Sequence, residues 1–143
     1  MRNAKKMVVL FLIVFLFSLL AGCGPQATTL TGTEKDAVLA FSEAKTDDLL
    51  AGISTNDYAL FSKDFDEDML KAMTQSQFDA LKKDRDDKLG PYVSRQVNSV
   101  LQRQDGFYVV IYDAKFEKDA AVTMRVVFRV ADPHQVSGLW FNK

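Results

Sequence analysis

The chain has 143 residues, 18 of them basic and 19 acidic, and a formal net charge of −1 at pH 7. A balance this close to neutral argues against nucleic acid as a partner and against electrostatic binding to anionic lipid. Cys23 is the only cysteine, which excludes an internal disulfide framework and leaves packing to hold the fold.

Residues 1–22 have the pattern of a secretion signal. Arg2, Lys5 and Lys6 give a basic start, and residues 7–21 form an almost entirely apolar run. At about 1.5 Å per residue, a helix of that length spans roughly 22 Å, short of a hydrocarbon core of about 30 Å. The run is therefore predicted to be a cleaved signal peptide and not a transmembrane helix.

The segment Leu20-Ala21-Gly22-Cys23 closes this run and resembles the lipobox of prokaryotic lipoproteins. The resemblance implies cleavage before Cys23 and attachment of lipid to its sulfur and its new amino group. We therefore expect an envelope lipoprotein that faces outside the cytoplasm and is anchored to a membrane through Cys23. The mature chain would have 121 residues, 15 basic and 19 acidic, for a net charge of −4. A buried inert thiol or an intermolecular disulfide fits a cysteine between Gly22 and Gly24 less well.

Small and polar residues over 23–33 predict a flexible tether between the lipidated cysteine and a single domain at 34–143. Helical spacing begins there, with Thr33 as the predicted cap. One face of this first helix carries Val38, Phe41, Lys45, Leu49 and Ile53. Shorter helical segments are predicted to follow as far as Met73.

A further helix is predicted from the capping box formed by Thr74 and Gln77 to the stop at Gly90-Pro91. One side of it carries Phe78, Leu81, Arg85 and Leu89. The opposite side is a solvated face with Lys82, Lys83, Asp86 and Asp87.

Beyond Pro91 the apolar residues recur at every second position, which is typical of strands. Asp105-Gly106 predicts a hairpin, and turns are predicted near Lys118-Asp119 and Asp132-Pro133. The predicted fold class is α+β, with N-terminal helices packed on one face of a four-stranded antiparallel sheet.

Three stretches resemble nuclear transport factor 2-like (ketosteroid isomerase-like) domains: residues 56–65 (NDYALFSKDF), 89–93 (LGPYV) and 135–141 (QVSGLWF). They are similar to one uncharacterised branch of that superfamily, whose members are often small secreted lipoproteins. Similar domains also occur fused ahead of serine-hydrolase domains. The resemblance implies a curved sheet wrapped around the helices into a cone, with the helices in its concave face. These motifs are structural, so they indicate the fold more than the function.

In such relatives the hollow of the cone is a ligand pocket or an active site. The enzymes use an Asp base with a Tyr and a second acid, and the pattern marks no acidic partner for the tyrosines here. Aromatic side chains in a concave site can orient a small ligand, although ordinary core packing is the alternative. The ligand-pocket candidates are Tyr58, Phe61, Tyr108, Tyr112 and Trp140, and alternation leaves open which face Trp140 occupies.

An apolar patch on the outer sheet face, opposite the helices, is a second expectation. It would suit pairing with a second copy of the chain or with another protein. The interface candidates are Val109, Ile111, Val127 and Leu139.

No catalytic residue, cofactor or metal site is predicted. Residues 64–68 space carboxylates like a calcium loop, but Met69 and Gln75 stand where such a loop needs Gly and Glu. His134 is the only histidine, and neither a Gly-x-Ser-x-Gly motif nor a glycine-rich phosphate loop is present.

The first functional hypothesis is a membrane-anchored extracytoplasmic lipoprotein whose non-enzymatic domain binds a small apolar ligand or a protein partner. The alternative is a small-molecule isomerase or hydrolase-like enzyme that uses the cone cavity. A third is an accessory domain whose ancestors served a fused hydrolase. An acidic residue with a raised pKa beside Tyr58 and Tyr108 would favour the enzyme.

Overall fold

The computed structural model describes residues 26–143, and the predicted signal peptide and Cys23 lie outside them. Apart from a short first strand, helices precede an antiparallel sheet, which confirms the α+β class and the order of its elements. The helices are α1 (Gly32–Thr55), α2 (Tyr58–Ser62), α3 (Glu67–Ala72) and α4 (Gln75–Lys88). The strands are β1 (Ala27–Thr29), β2 (Tyr92–Arg103), β3 (Phe107–Phe116), β4 (Val122–Arg129) and β5 (Val136–Asn142).

The sheet has five strands within the described residues, so the prediction of four was wrong. The strands lie in chain order, and each pairs antiparallel with the next. The additional strand, β1, pairs with Leu101–Arg103 of β2. All three residues of its sequence, Ala-Thr-Thr, are exposed, so the sequence shows no alternation of apolar and polar residues. Backbone hydrogen bonds to β2 hold this strand in the sheet.

The prediction of a flexible tether over 23–33 is wrong from Ala27 onwards. Leu30 is buried, and its N–H donates a hydrogen bond to the carbonyl oxygen of Val100 at 2.8 Å. Helix α1 begins at Gly32, with Thr31 instead of Thr33 as its cap residue. Residues before 34 therefore belong to the folded domain: β1 begins at Ala27, and Leu30 is part of the core.

The predicted boundaries of α4 and of the first hairpin are confirmed. Thr74 Oγ1 accepts a hydrogen bond from the N–H of Gln77 at 3.4 Å. Beyond the other end of α4, Gly90 has a φ of +75°, which glycine adopts without the penalty that a Cβ would bring. Gly106 has a φ of +89° in the turn between β2 and β3.

The core lies between the helices and one face of the sheet. Ile53, Phe61 and Phe78 come from the helical layer, and alternate residues of β3 and β4 come from the sheet, as their spacing predicted. These sheet residues are Val110, Tyr112, Ala114, Phe116, Val122, Met124, Val126 and Phe128. No helix in the described part of the chain combines the length and hydrophobicity needed to cross a membrane.

A buried carboxylate, Asp66, joins the helical layer to the sheet. Its side chain accepts hydrogen bonds from the Met69 N–H at 2.8 Å, from Arg129 Nε at 2.7 Å and from Ser137 Oγ at 2.5 Å. Burial alone would raise the pKa of Asp66, but the hydrogen bonds from Ser137, Met69 and Arg129, together with the charge of Arg129, lower the pKa below its ordinary value of 3.8. Asp66 therefore caps α3 and ties it to β4 and β5 while ionised.

Candidate functional site

Two of the predicted pocket residues, Tyr58 and Phe61, pack within the helical layer. The hydroxyl of Tyr58 donates to the carbonyl oxygen of Met73 at 2.7 Å. Phe61 is buried, with ring centroids 5.0 Å from Phe65 and 4.8 Å from Phe78. Phe61 is therefore part of the core, and Tyr58 is half-buried with its hydroxyl already hydrogen-bonded.

Tyr112 lies on the helix-facing side of β3, inside a polar cluster at α1. Its hydroxyl donates to Glu43 Oε1 at 2.6 Å and lies 3.2 Å from Thr46 Oγ1. Arg95 pairs with the other oxygen of Glu43 at 3.1 Å and with Asp47 at 2.7 Å. Burial and the hydrogen bond to Glu43 raise the pKa of Tyr112 well above its ordinary value. The hydroxyl is therefore held neutral, as a buried link between α1 and the sheet.

Tyr108 borders a cavity of about 270 Å³ near the start of α1. Phe41 and His134 stack there with ring centroids 4.0 Å apart, and Phe41 lies 6.1 Å from Tyr108. Glu34 also lines this cavity. The Phe41–His134 stack forms part of the wall of this cavity.

Trp140 occupies the outer face of the sheet, which answers the question that alternation left open. It pairs in register with Arg125, whose Cζ lies 4.7 Å from the centre of the indole. The indole covers Gly138, since a Cβ at that glycine would lie 2.1 Å from Trp140 Cη2. Trp140 therefore does not join Tyr112 in one pocket.

Among the predicted interface residues, Leu139 was assigned to the wrong face. It pairs with Val126, whose side chain is in the core, and it packs against that core itself. Val109, Ile111 and Val127 do lie on the outer face, in register with Leu101, Arg125 and Val109 respectively. Val109 and Val127 are nevertheless buried, so this patch is less open than predicted.

A cleft of about 690 Å³ lies between α4 and β5. Its walls carry Leu81 and Leu89 from the helix side and Leu139 and Phe141 from the strand, with Trp140 at the border. Volumes of about 300–1,000 Å³ with mostly apolar walls are typical of small-molecule sites. The charged residues that line the cleft are Asp84, Arg85, Lys88 and Lys143.

Arg85 is the unusual member of this lining. Its side chain is only 4% exposed, and its Nη2 lies 2.5 Å from Asp86 Oδ1. Its Nε has no hydrogen-bond partner among residues 26–143. Helical spacing in the sequence already placed Arg85 on the apolar side of α4. That spacing did not indicate a function for the residue.

The central and C-terminal parts of the domain match one family model, over residues 47–138, which is described as a protein of unknown function (DUF3887). The chain belongs to the DUF3887 family. Comparisons with curated proteins and with solved structures gave no match.

The DUF3887 segment begins within α1 and ends within β5. It contains Arg85 and the α4 wall of the cleft, whereas Leu139, Trp140 and Phe141 follow directly after it. In the described residues no group of three or more His, Cys, Asp or Glu side chains could hold a metal ion.

Proposed function

We propose that this chain is a membrane-anchored, extracytoplasmic lipoprotein whose domain binds a small apolar molecule in the cleft between α4 and β5. The observation that carries the proposal is the cleft itself, with a volume of about 690 Å³ and four large apolar side chains in its walls. Apolar walls of this extent favour burial of a ligand, at roughly 25 cal/mol per Å² of apolar surface removed from water.

We further propose that the domain has the cone-like, nuclear transport factor 2-like architecture. Irregular register supports this at three positions in two strand pairs. The pairing of β2 with β3 shifts between Tyr92 and Ser94 and between Val97 and Ser99, and the pairing of β4 with β5 shifts at Val127/Phe128. Bulges bend strands and increase their twist, so they favour a sheet that curves around the helices. In this architecture the cleft lies at the β5 edge of the sheet and not in the middle of the concave face.

Ligand binding is tested with dodecanol, a neutral probe, and the mature chain carrying Cys23→Ser so that no attached lipid competes. We expect saturable binding by titration calorimetry, together with a shift in the emission of Trp140, which is the only tryptophan and borders the cleft. Leu139→Gln should weaken binding, because it places an amide in the apolar wall. Val93→Gln is the matched control, because Val93 is 58% exposed and lies on β2. Equal binding by both variants would contradict the site.

The anchor is tested by fractionating cells that express the wild type and Cys23→Ser. We expect the wild type in the membrane fraction, with a mass increased by lipid, and the variant either released or retained as an unprocessed precursor. Cys23→Ser protein with the same fractionation and mass as the wild type would contradict lipidation.

The enzyme hypothesis has one specific candidate, the pair of Tyr112 and Glu43. Tyr112 is fully buried and lines none of the cavities described above, and a tyrosine with a raised pKa is a weak proton donor at neutral pH. Tyr58 and Tyr108 lie apart from this pair. Catalysis in the cone stays a prediction, and the cleft supports binding better.

A further inference from the structure

We propose that the ligand of the α4–β5 cleft is a single-chain amphiphile with an anionic head, and that Arg85 binds that head. This inference rests on the proposed binding function and deepens it by naming the class of ligand. It follows from the placement of a buried cation, with one N–H left unpartnered, in a cleft that is lined mainly by apolar side chains and has further charged residues at its rim.

The burial of Arg85 is the first step. A guanidinium carries five N–H donors and stays protonated in proteins. Taking such a group out of water is unfavourable unless its donors are satisfied. In the described residues Nε has no acceptor, although the side chain is 96% buried, since 4% is exposed. Nε is itself shielded from solvent, and Arg85 lines the cleft, so an acceptor in the cleft reaches this donor when the guanidinium or its neighbours shift locally.

The neighbouring carboxylate does not satisfy the charge of Arg85 by itself. Asp86 Oδ1 lies 2.5 Å from Arg85 Nη2, but Asp86 Oδ2 also accepts from Lys82 Nζ at 2.5 Å. One carboxylate is thus shared by two cations. A second anion at Nε would supply the acceptor that this donor lacks, through a charge-assisted hydrogen bond.

The rim adds to the positive potential of the cleft. Lys88 and Lys143 line the cleft together with Arg85, and Asp84 is the only acidic residue in its lining. Asp84 is already paired with Lys88 at 2.7 Å. Lys143 Nζ also lies 3.5 Å from Asp119 Oδ2. Within the lining itself three cations stand against one carboxylate, which favours anions at the mouth of the cleft.

The apolar walls specify the rest of the ligand. Leu81, Leu139 and Phe141 offer no hydrogen-bonding side chain, so the body of the ligand is predicted to be a hydrocarbon chain or ring. A head that binds Arg85 and a tail that lies along these three residues describe an alkyl carboxylate or alkyl phosphate.

The test compares dodecanoate with dodecanol, which differ only in the head, at about pH 8, where the carboxylate is ionised. The protein is the mature chain carrying Cys23→Ser, and affinities come from titration calorimetry. We expect dodecanoate to bind about ten- to a hundredfold more tightly, because a charge-assisted contact replaces a neutral one. Dodecyltrimethylammonium should bind more weakly than dodecanol.

Two variants separate the role of Arg85 from the stability of the fold. Arg85→Met keeps the length and the apolar stem, and it should abolish the preference for dodecanoate while leaving dodecanol binding within about threefold. Lys88→Gln removes an exposed rim charge that is already paired, and it should retain most of the preference. The quantity compared is the ratio of dodecanoate to dodecanol affinity within each variant. A general loss of stability would weaken the binding of both probes and leave this ratio unchanged.

The source of the amphiphile is tested with vesicles. Phosphatidylglycerol vesicles that bind Arg85→Met as well as the unsubstituted protein, with no binding of free dodecanoate, would overturn the inference in favour of a surface interaction. Binding of dodecanol without any preference for dodecanoate would overturn the inference and leave the proposed function standing. Failure of both probes to bind would overturn both.

Discussion

Asp66 connects the helical layer to the sheet, a role that no motif in the sequence indicated. It caps α3 through the Met69 N–H, and it receives Arg129 and Ser137 from β4 and β5. The side chain is almost completely buried. Its loss would therefore leave Arg129 and Ser137 without their acceptor, at a position where water cannot easily take its place. The acidic run at 64–68 does not match a calcium loop, and within it Asp66 is the N-terminal cap of α3.

We therefore expect Asp66→Ala to lower the free energy of unfolding by about 2 kcal/mol, through the lost cap and the lost charge-assisted hydrogen bonds. Asp68→Ala is the matched control, because Asp68 also lies near Arg129, at 3.3 Å, but is 82% exposed. The control should change stability by less than about 0.5 kcal/mol. Chemical denaturation measures both, and equal effects would contradict a special role for Asp66.

The pKa of Asp66 makes part of this stability depend on pH. Because its pKa is lower in the folded state than its ordinary value of 3.8, ionised Asp66 stabilises the fold at every pH above that value, and this contribution is lost as the pH falls through the folded pKa. The gap in unfolding free energy between wild type and Asp66→Asn should be constant near neutrality and shrink below about pH 4. Denaturation curves across this range measure the gap, and one that widens on acidification would reverse the assigned sign.

At the scale of elements, local signals predicted most of the fold. Thr74, Gly90 and Asp105-Gly106 mark boundaries through the backbone chemistry of their own positions, and the structure has boundaries there. The face of Leu139 could not be predicted in this way, because the register between β4 and β5 shifts at Val127/Phe128 and a shift of one residue reverses the faces. Strand β1 was missed because its exposed side chains carry no pattern. The cleft is made by α4 and β5, which are distant in sequence, so Arg85 gained a candidate role only in three dimensions.

The β1 segment gives a prediction about the N-terminal edge of the domain. Leu30 is buried beside β2, so Leu30→Ala should destabilise the domain by about 2–3 kcal/mol through lost burial and the cavity left behind. Thr28→Ala, at an exposed position of β1, should stay within about 0.5 kcal/mol of the wild type. Thermal unfolding measures both. A neutral Leu30→Ala would mean that the chain before α1 is a tether, as the sequence suggested.

The contact between α1 and α2 gives a second prediction. Replacing a glycine inside a helix by alanine normally stabilises the helix by about 1 kcal/mol. A Cβ at Gly52, however, would lie 2.6 Å from the backbone nitrogen of Phe61, and backbone cannot move aside as a flexible side chain does. We expect Gly52→Ala to destabilise the domain by about 1–3 kcal/mol. Ser54→Ala, exposed on the same helix, should be neutral or slightly stabilising, and a Gly52→Ala variant more stable than the wild type would contradict the close approach.

At the scale of the whole molecule, the cleft and β1, the strand nearest to Cys23 in the sequence, lie at opposite edges of the sheet. Cys23 is separated from β1 by Gly24, Pro25 and Gln26, a reach of roughly 13 Å across four residue steps. Strand β5, which forms the cleft, is the other edge strand, about 19 Å away across four strand spacings. Lipidation of Cys23, as proposed, would hold the β1 edge close to the bilayer and leave the cleft at the β5 edge.

The outer face of the sheet decides the oligomeric state. The indole of Trp140 lies over Gly138 beside Val127, and Arg125 covers the indole. Val127 and Val109 are already buried within the chain, whereas a stable interface requires roughly 800 Å² of surface per partner. We therefore expect the mature chain carrying Cys23→Ser to sediment as a monomer at micromolar concentration.

Gly138→Ala should change that state, because its Cβ would meet the indole at 2.1 Å and displace it from the sheet. The displaced ring uncovers Val127, so we expect increased self-association in sedimentation together with a red shift in the emission of Trp140. Thr123→Ala is the control, since it adds no bulk at an exposed site on the same face of β4. A wild-type dimer that is unaffected by Gly138→Ala would mean that the copies pair elsewhere. A wild-type dimer that Gly138→Ala disrupts would restore the outer face as the interface that the sequence indicated.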